Sequence, residues 1–351
     1  VAEKTIFEYA DIKGEALAVP VSNINPYLVD APDLVLEKRN QPICLVPTIS
    51  YGSMANDDGH LLLDKEQRNA LIAAEPATAP YIRRYMGAQE FLNNAERWCL
   101  WLKDISPSLM RSSNELRHRI EAVRKFRASS NREATRNLAA TPSLFGEDRQ
   151  PLKSYLLLPK VSSENRPYMP IGFMPSEVIA NGSALTISDS GHYEMGVLQS
   201  KMHMAWMRAV AGRMKSDYQY SAQIVYNNFP WPDLPEKLEP NQPQTPAHKA
   251  QAAIEKAAQA VLDARAQFPG SSLADLYDPL TMPPALLKAH QKLDAAVDAA
   301  YALVGGKKTW KNDAERVAFL FERYQHLTSL LPAVKGKGKE KTKGKAGRKQ
   351  A

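Results

Sequence analysis

A short proline-rich segment divides this sequence into two parts with different hydrophobic patterns. The segment is LPEKLEPNQPQTP, and its polar, proline-rich composition is typical of a linker. Before it, apolar residues occur in short runs bounded by turn residues, which is typical of strands. After it, three stretches repeat apolar residues at helical spacing. The chain is therefore expected to combine a region of strands and helices with a separate helical domain.

These patterns predict an α+β fold, in which a mixed β-sheet domain with flanking helices precedes a small antiparallel helical bundle. We expect strands in PICLVPTI, RWCLWL, YLLLPKV, YMPIGF and SALTIS, and helices over residues 64–74 and 195–214. Another helix is expected from Ser112, whose spacing to Glu115 is that of a capping box. The predicted boundaries are a connector at 1–40, a β-sheet domain at 41–232, a linker at 233–246, the helical domain at 247–331 and a tail at 332–351.

The net charge of +7 lies in the C-terminal tail. Residues 335–351 hold eight basic residues and one acid, which leaves the rest of the chain neutral. This lysine- and glycine-rich composition predicts disorder. Two interpretations of the tail remain open, namely loose contact with phosphates and a contribution to solubility alone. Any nucleic-acid binding by the folded part must therefore use local basic patches.

Several function classes lack their sequence signatures. The two cysteines, Cys44 and Cys99, are too few for a disulfide framework and too isolated for a zinc site. No apolar run approaches the roughly 20 residues that span a bilayer, so a cytoplasmic protein is expected. There is no P-loop, dinucleotide fingerprint or nucleophile elbow. The pair Asp57–Asp58 is expected to form a turn, and Met202–Met204 is expected to pack in the core rather than to bind a metal.

The segment GRMKSDYQYSAQIVYNNFPWP places three polar side chains at a spacing of two. In an extended chain, Lys215, Asp217 and Gln219 would point to the same side. That side would offer an ammonium donor, a carboxylate acceptor and an amide that does both. Charged alternation is more often that of an ordinary solvated strand, and residue spacing alone leaves both interpretations open.

Four longer segments resemble one family. GAQEFLNNAERWCLWL, PKVSSENRPYMPIGF, WMRAVAGRMKSDYQYSAQIVYNNFPWP and LADLYDPLTMPPALLKAHQKLDAAVDAAY are similar to the C-terminal part of MmeI-like DNA methyltransferases of the type IIG/IIL restriction-modification class. The resemblance extends over residues 25–330. It implies that 41–232 is a target-recognition domain and that 247–331 is the family's helical C-terminal domain.

The resemblance also implies what this chain lacks. In the family, an S-adenosylmethionine-dependent adenine-N6 methyltransferase domain precedes these two domains. This chain has neither the Phe-x-Gly-x-Gly nor the Asn-Pro-Pro-aromatic motif, and its first residue is Val1. It is therefore expected to be an inactive fragment that binds no cofactor itself. The expected partners are double-stranded DNA, contacted in the major groove, and the enzyme's own N-terminal methyltransferase domain.

The positions that read bases in the family correspond to three pairs of residues in this chain. The resemblance implies that Lys215 and Asp217 read one base pair together, that Gln219 works with a residue near Ser183, and that Lys160 works with one near Gly182. Seven arginines are expected to contact phosphate: Arg111, Arg117, Arg124, Arg127, Arg166, Arg208 and Arg213. For the basic helix after Ser112, a solvated face is an equal alternative, and for Arg213 a structural ion pair.

A second functional class stays open at this point. The chain could act as a protein-interaction scaffold, in which the helical domain docks onto the other domains and no base is read. Salt-dependent, sequence-biased binding to duplex DNA would favour the recognition module. Indifference to DNA, together with tight binding to the separate catalytic domain, would favour the scaffold.

Overall fold

A computed structural model describes residues 4–9, 14–233 and 243–329. The basic tail and most of the proline-rich linker lie outside these residues. The strands are β1 Lys4–Tyr9, β2 Ala16–Val21, β3 Ile49–Tyr51, β4 Leu62–Leu63, β5 Ile82–Met86, β6 Trp98–Leu100, β7 Tyr155–Pro159, β8 Val161–Ser162, β9 Gly172–Met174, β10 Ile179–Ala180, β11 Ala184–Ser188, β12 Gly212–Met214 and β13 Asp217–Gln219. The α-helices are α1 Lys65–Ala74, α2 Ala88–Asn93, α3 Pro107–Ser112, α4 Asn114–Ala128, α5 Glu133–Asn137, α6 His192–Leu198, α7 Lys201–Val210, α8 Pro246–Ala266, α9 Leu273–Leu276, α10 Pro284–Ala302 and α11 Asp313–Ser329.

Four small sheets confirm the predicted α+β class. Their strand orders are β1-β2, β10-β5-β6-β4, β3-β11-β7-β9 and β12-β13-β8. All pairings between these strands are antiparallel except the parallel pair β5 and β10, so one of the sheets is mixed.

Strand β7 is buried at every residue because its two faces belong to different cores. Leu156 and Leu158 join the largest core cluster, which also contains α6 and α7. Tyr155 and Leu157 join a smaller cluster with Phe91 of α2. A strand covered on both faces has a continuous apolar sequence, which explains the run YLLL.

The C-terminal helices share a core with the β-sheet region. Helix α8 packs against α10 and also against α6, while α11 packs mainly against α7. Gly196 of α6 permits the close approach to α8, since a Cβ there would lie 2.7 Å from Cγ2 of Ile254. The helical domain therefore packs on the β-sheet region and shares a hydrophobic core with it.

Some predicted elements are shorter or interrupted. The helix expected over 195–214 is two helices, α6 and α7, followed by strand β12. It breaks at Ser200, whose hydroxyl caps α7 by accepting a hydrogen bond from His203 N at 3.4 Å. The apolar run before Asn227 is a π-helical turn, Ala222–Tyr226. Of PICLVPTI, only Ile49 enters a strand.

The cap of α4 is Ser113 and not Ser112. The Ser113 hydroxyl accepts a hydrogen bond from Leu116 N at 3.0 Å and donates one to the Glu75 carboxylate. The other oxygen of Glu75 accepts from the backbone N–H groups of Asn114 and Glu115. A carboxylate distant in sequence therefore replaces the local capping box, which explains why the local pattern located the cap one residue early.

Candidate nucleic-acid interface

The segment from Gly212 to Gln219 forms a tight β-hairpin. Strands β12 and β13 pair from Gly212↔Gln219 to Met214↔Asp217, which leaves Lys215 and Ser216 as a two-residue turn. The other edge of β13 pairs with β8, so the hairpin extends a three-stranded sheet. The predicted polar side chains therefore lie at the tip and along one strand of a hydrogen-bonded hairpin.

The two faces of this hairpin differ in burial. Tyr218 is 6% exposed and faces inward, whereas its neighbours Asp217 and Gln219 are half-buried. A Cβ at Gly212 would lie 3.9 Å from Oε1 of Gln219, which confirms that these positions share a face. We call the face carrying Gly212, Met214, Asp217 and Gln219 the front face. The spacing argument is correct for Asp217 and Gln219.

Lys215 departs from the extended conformation that the spacing argument assumed. Its φ is 57°, in the left-handed region, and it is exposed at the tip of the hairpin. A two-residue hairpin turn requires positive φ at its first residue, where glycine or asparagine is usual. Lys215 therefore lies near Asp217 because both are at the turn of the hairpin, and not because they alternate along one extended strand.

Replacing Lys215 by glycine should maintain or raise the stability of the fold. The left-handed conformation costs a side-chain-bearing residue about 1–2 kcal/mol, and the extra freedom of unfolded glycine offsets about 0.5–1 kcal/mol of that gain. Urea unfolding of Lys215→Gly should thus show no loss and a gain of up to about 1 kcal/mol.

Lys125→Gly is the matched control, since it places glycine in the last turn of α4, where a loss of up to about 1 kcal/mol is expected. Equal losses in both variants would show that Lys215 is not strained in solution.

Arg213 braces the hairpin from the opposite face. Its Nη1 donates to the carbonyl oxygen of Ser216 in the turn at 2.7 Å and lies 3.6 Å from Oε2 of Glu164. Its guanidinium carbon lies 3.9 Å from the ring centroid of Tyr218, its cross-strand partner. These contacts agree with the structural ion-pair interpretation of Arg213.

Two further loops meet the hairpin at its base. The backbone N–H of Lys160 donates to the Ser183 carbonyl at 3.0 Å, and the Lys160 carbonyl accepts from Tyr220 N at 2.8 Å. The structure thereby brings together Lys160, the Gly182–Ser183 turn and strand β13. The Lys160 ammonium lies 5.3 Å from the ring centroid of Tyr51. A Cβ at Gly182 would lie 3.0 Å from Cγ of Met54.

The Ser183 hydroxyl has little unused hydrogen-bonding capacity. It donates to Oδ1 of Asn181 at 2.6 Å and accepts from Ala88 N at 3.0 Å. A hydroxyl has one donor and two acceptor lone pairs. In this arrangement the exposed Ser183 side chain can offer a ligand one acceptor and no donor.

Six of the seven arginines predicted to contact phosphate fall into two groups. Arg111, Arg117 and Arg124 are exposed on α3 and α4. There, Arg117 donates to Asn114 Oδ1 and Arg124 pairs with Glu121 at 2.9 Å. Arg166, Arg208 and Arg213 surround the hairpin region instead.

Within the hairpin group, the two remaining arginines differ in their surroundings. Burial lowers the pKa of the Arg166 guanidinium, and the negative charge of Asp217 opposes that shift. Arg208 pairs with Asp313 of α11 at 2.7 Å and donates to the Arg166 carbonyl at 3.4 Å. Arg208 therefore also links α7 to helix α11 of the helical domain.

The prediction that Arg127 contacts phosphate is wrong. Its side chain is 0% exposed, and all five of its N–H donors bind backbone carbonyls at 2.7–3.0 Å. The acceptors are the carbonyl oxygens of Ala55, Asn56, Leu138, Thr141 and Leu144. Arg127 joins two chain segments, residues 55–56 and 138–144, inside the molecule and cannot reach a ligand.

Other polar groups singled out in the sequence are structural. The Asp57 carboxylate accepts from Leu61 N at 2.6 Å, which confirms its turn role. His203 is fully buried and shares a 2.9 Å hydrogen bond with the Tyr220 hydroxyl, and burial lowers the pKa of His203 to about 3. This burial confirms the core interpretation of Met202–Met204.

Residues 4–9, 14–233 and 243–329 contain no group of three or more His, Cys, Asp or Glu side chains placed to hold a metal ion. The same residues include no helix long and apolar enough to cross a membrane.

Comparisons with known proteins agree with the resemblance. Residues 30–233 match the family model "MmeI, target recognition domain", and residues 246–332 match "MmeI, C-terminal domain". DNA methyltransferase A of Bacillus subtilis (strain 168) is 37% identical over 308 residues, which cover 88% of this chain and 33% of that protein.

A solved structure is also similar, that of the type IIL restriction-modification enzyme MmeI in complex with DNA. It aligns with a TM-score of 0.83 and 46% sequence identity over 94% of this chain and 42% of the MmeI chain. The present chain thus spans about a third of the Bacillus relative and about two fifths of MmeI. By its matches to both domain models and by this fold, the chain belongs to the MmeI family and comprises that family's target recognition and C-terminal domains.

Proposed function

We propose that this chain is the sequence-recognition module of a restriction-modification DNA methyltransferase and that its β12–β13 hairpin reads base edges in the major groove. The observation that carries the proposal is the hairpin itself, which presents Lys215, Asp217 and Gln219 without burying any of them. It lies within the region that matches the target recognition domain. A two-stranded β-ribbon is one of the elements that the major groove admits.

The side chains at the tip of the hairpin match the hydrogen-bonding groups of one G·C pair. An ammonium group donates to O6 and N7 of guanine, and a carboxylate accepts from the N4 amino group of cytosine. Lys215 therefore contacts the guanine and Asp217 the paired cytosine. Each such contact contributes roughly 1–3 kcal/mol of discrimination.

Two further groups of residues, at the base of the hairpin, also contact base edges in this proposal. Gln219 combines with the Ser183 region, and Lys160 combines with the backbone at Gly182, since both loops are hydrogen-bonded to this part of the sheet. Because the Ser183 donor is committed to Asn181, Ser183 accepts from an exocyclic amino group and does not donate to guanine O6.

Phosphate contacts position the module without reading sequence. The exposed side chains Arg111, Arg117 and Arg124 provide them on α3 and α4, and Arg166 and Arg208 provide them beside the hairpin. Arg213 is assigned here to bracing the turn, because its guanidinium already binds Ser216, Glu164 and Tyr218.

The module serves a longer enzyme in this proposal. The methyltransferase domain of that enzyme binds S-adenosylmethionine and transfers the methyl group to adenine N6. This chain holds no cofactor and is inactive alone. The competing function is a scaffold that docks onto the catalytic domain without reading bases. The exposure of Lys215, on a strained backbone at the tip, favours recognition, since strain of this kind clusters at functional sites.

The decisive experiment exchanges the charges of the tip pair. In the full-length methyltransferase that carries this chain, Lys215→Glu with Asp217→Arg should change the preferred base at one position of the methylated site. Long-read mapping of methylated positions in a host genome reports the motif directly. The matched control is Lys103→Glu with Asp148→Arg, which reverses a 2.8 Å surface ion pair away from the hairpin and should leave the motif unchanged. An unaltered motif in the tip variant would refute the assignment of this pair.

A further inference from the structure

The front face of the hairpin carries one apolar side chain. Met214 is 51% exposed, although it lies among polar neighbours. It is the cross-strand partner of Asp217 and closes the two-residue turn. None of the contacts that support the hairpin from behind involves Met214, because those use Arg213 and Tyr218 on the opposite face.

This placement makes Met214 part of the proposed reading surface. Directly opposed residues in an antiparallel pair have Cβ atoms about 4.5–5.5 Å apart. That separation exceeds the 3.4 Å between successive bases on one DNA strand. Side chains of Asp217 and Met214 can thus reach neighbouring base pairs in the same groove.

The major groove offers one apolar group, the C5-methyl of thymine. A flexible, polarizable thioether adapts to such a group without requiring a fixed hydrogen-bond geometry. We infer that Met214 is a specificity-determining residue that contacts the 5-methyl group of a thymine in the base pair next to the one read by Lys215 and Asp217. This inference rests on the proposed function of the hairpin.

The test removes the methyl group from the DNA and the thioether from the protein. The recognition site of the 351-residue chain is first selected from a random duplex library. Each thymine in that site, on either strand, is then replaced singly by deoxyuridine, which lacks only the C5-methyl. For the unaltered protein, one replacement beside the pair read by Lys215 and Asp217 should weaken binding about fourfold, corresponding to roughly 0.8 kcal/mol for one buried carbon.

Two substitutions of Met214, each tested on the thymine and deoxyuridine duplexes, show whether the effect of the methyl group depends on this side chain. Met214→Ala should bind the thymine and deoxyuridine duplexes equally, whereas Met214→Leu should retain most of the difference. Leu152→Ala changes another apolar side chain, 93% exposed, outside the hairpin, and should behave like the unaltered protein. Equal sensitivity of Met214→Ala and the unaltered protein to the methyl group would overturn the inference, as would a selected site with no thymine beside the base pair changed by the Lys215/Asp217 exchange.

The same library separates this failure from failure of the proposed function. If the variant Lys215→Glu with Asp217→Arg selects a new base while methyl removal has no effect, the hairpin reads DNA and Met214 does not take part. If that variant selects the original site, Lys215 and Asp217 read no base, and the assignment of this pair and the inference about Met214 fail together.

Discussion

Arg127→Met should destabilise the protein by about 4 kcal/mol, a loss typical of a disrupted buried hydrogen-bond network. The substitution keeps most of the side-chain volume but removes five donors at once. Five backbone carbonyls that now accept hydrogen bonds from Arg127 would then lose those bonds. The carbonyls of Ala55, Leu138 and Thr141 also accept a backbone N–H and keep that bond. The carbonyls of Asn56 and Leu144 lose the donor that Arg127 supplies, and each buried acceptor left without a partner costs about 1–3 kcal/mol.

Urea unfolding of Arg127→Met, Arg127→Lys and Arg124→Ala measures this effect. Lysine retains the charge and three donors, so its loss should be intermediate. Arg124 lies one turn earlier on α4 and is exposed, so its removal should change stability by no more than about 0.5 kcal/mol. If Arg127→Met and Arg124→Ala unfold at the same urea concentration, the buried position of Arg127 is wrong.

The sequence contained the information needed to separate Arg127 from its neighbours. Leu116, Ile120 and Val123 form the buried stripe of α4. Continuing that spacing reaches residue 127, whereas Phe126, which the apolar pattern favours, is 36% exposed. Residue type suggested a surface arginine, while helical periodicity indicated an inward one. The five carbonyl acceptors come from loops distant in sequence, so periodicity predicts the direction of the side chain but not its partners.

The hairpin shows a different limit of sequence analysis. Strand spacing correctly paired Asp217 with Gln219, because alternation is a local property of extended chains. It misplaced Lys215, since a lysine with positive φ departs from the usual glycine or asparagine of such turns. The position of Met214 on the hairpin was not predicted, because residues 195–214 were expected to form one helix. Gly212, which is a common helix terminator, was the available signal for the break.

The fold class and the three long C-terminal helices, α8, α10 and α11, followed from periodicity and composition. Their packing did not, because the contact of α8 with α6 and of α11 with α7 depends on tertiary structure. One polar link in this interface was also hidden from sequence analysis. Asp294 of α10 accepts hydrogen bonds from the Lys201 backbone N–H and the Tyr168 hydroxyl, both at 2.7 Å. It thereby caps the first turn of α7 from another domain.

Asp294 should make this interface sensitive to pH. Burial raises the pKa of its carboxyl group from 3.8 to about 6, against the opposing effect of its hydrogen bonds and of Lys201. Between these values the folded state holds the proton and the unfolded state does not. The stabilisation is therefore complete below pH 3.8 and is lost as the pH rises through 6. A shift of this size corresponds to about 3 kcal/mol.

Asp294→Asn should remove that dependence, because asparagine is neutral at every pH and its carbonyl oxygen can still accept from Lys201 N. The stability of Asp294→Asn minus that of the unaltered protein should increase by about 2 kcal/mol between pH 4 and pH 6.5, because part of the loss already lies below pH 4. Taking this difference cancels other groups that titrate in both proteins, except where they couple to Asp294. Asp298 is the principal such group, since burial raises its pKa too and Arg316 pairs with it at 3.1 Å.

Urea unfolding of the two proteins across this pH range provides the measurement. Asp189→Asn supplies the baseline for removing one carboxylate that is 73% exposed. A difference between Asp294→Asn and the unaltered protein that stays constant from pH 4 to pH 6.5 would contradict the prediction. It would mean that the hydrogen bonds from Lys201 and Tyr168 stabilise the charged carboxylate as well as water does. The pKa of Asp294 would then be the same in the folded and unfolded states, and the contact between α10 and α7 would not depend on pH.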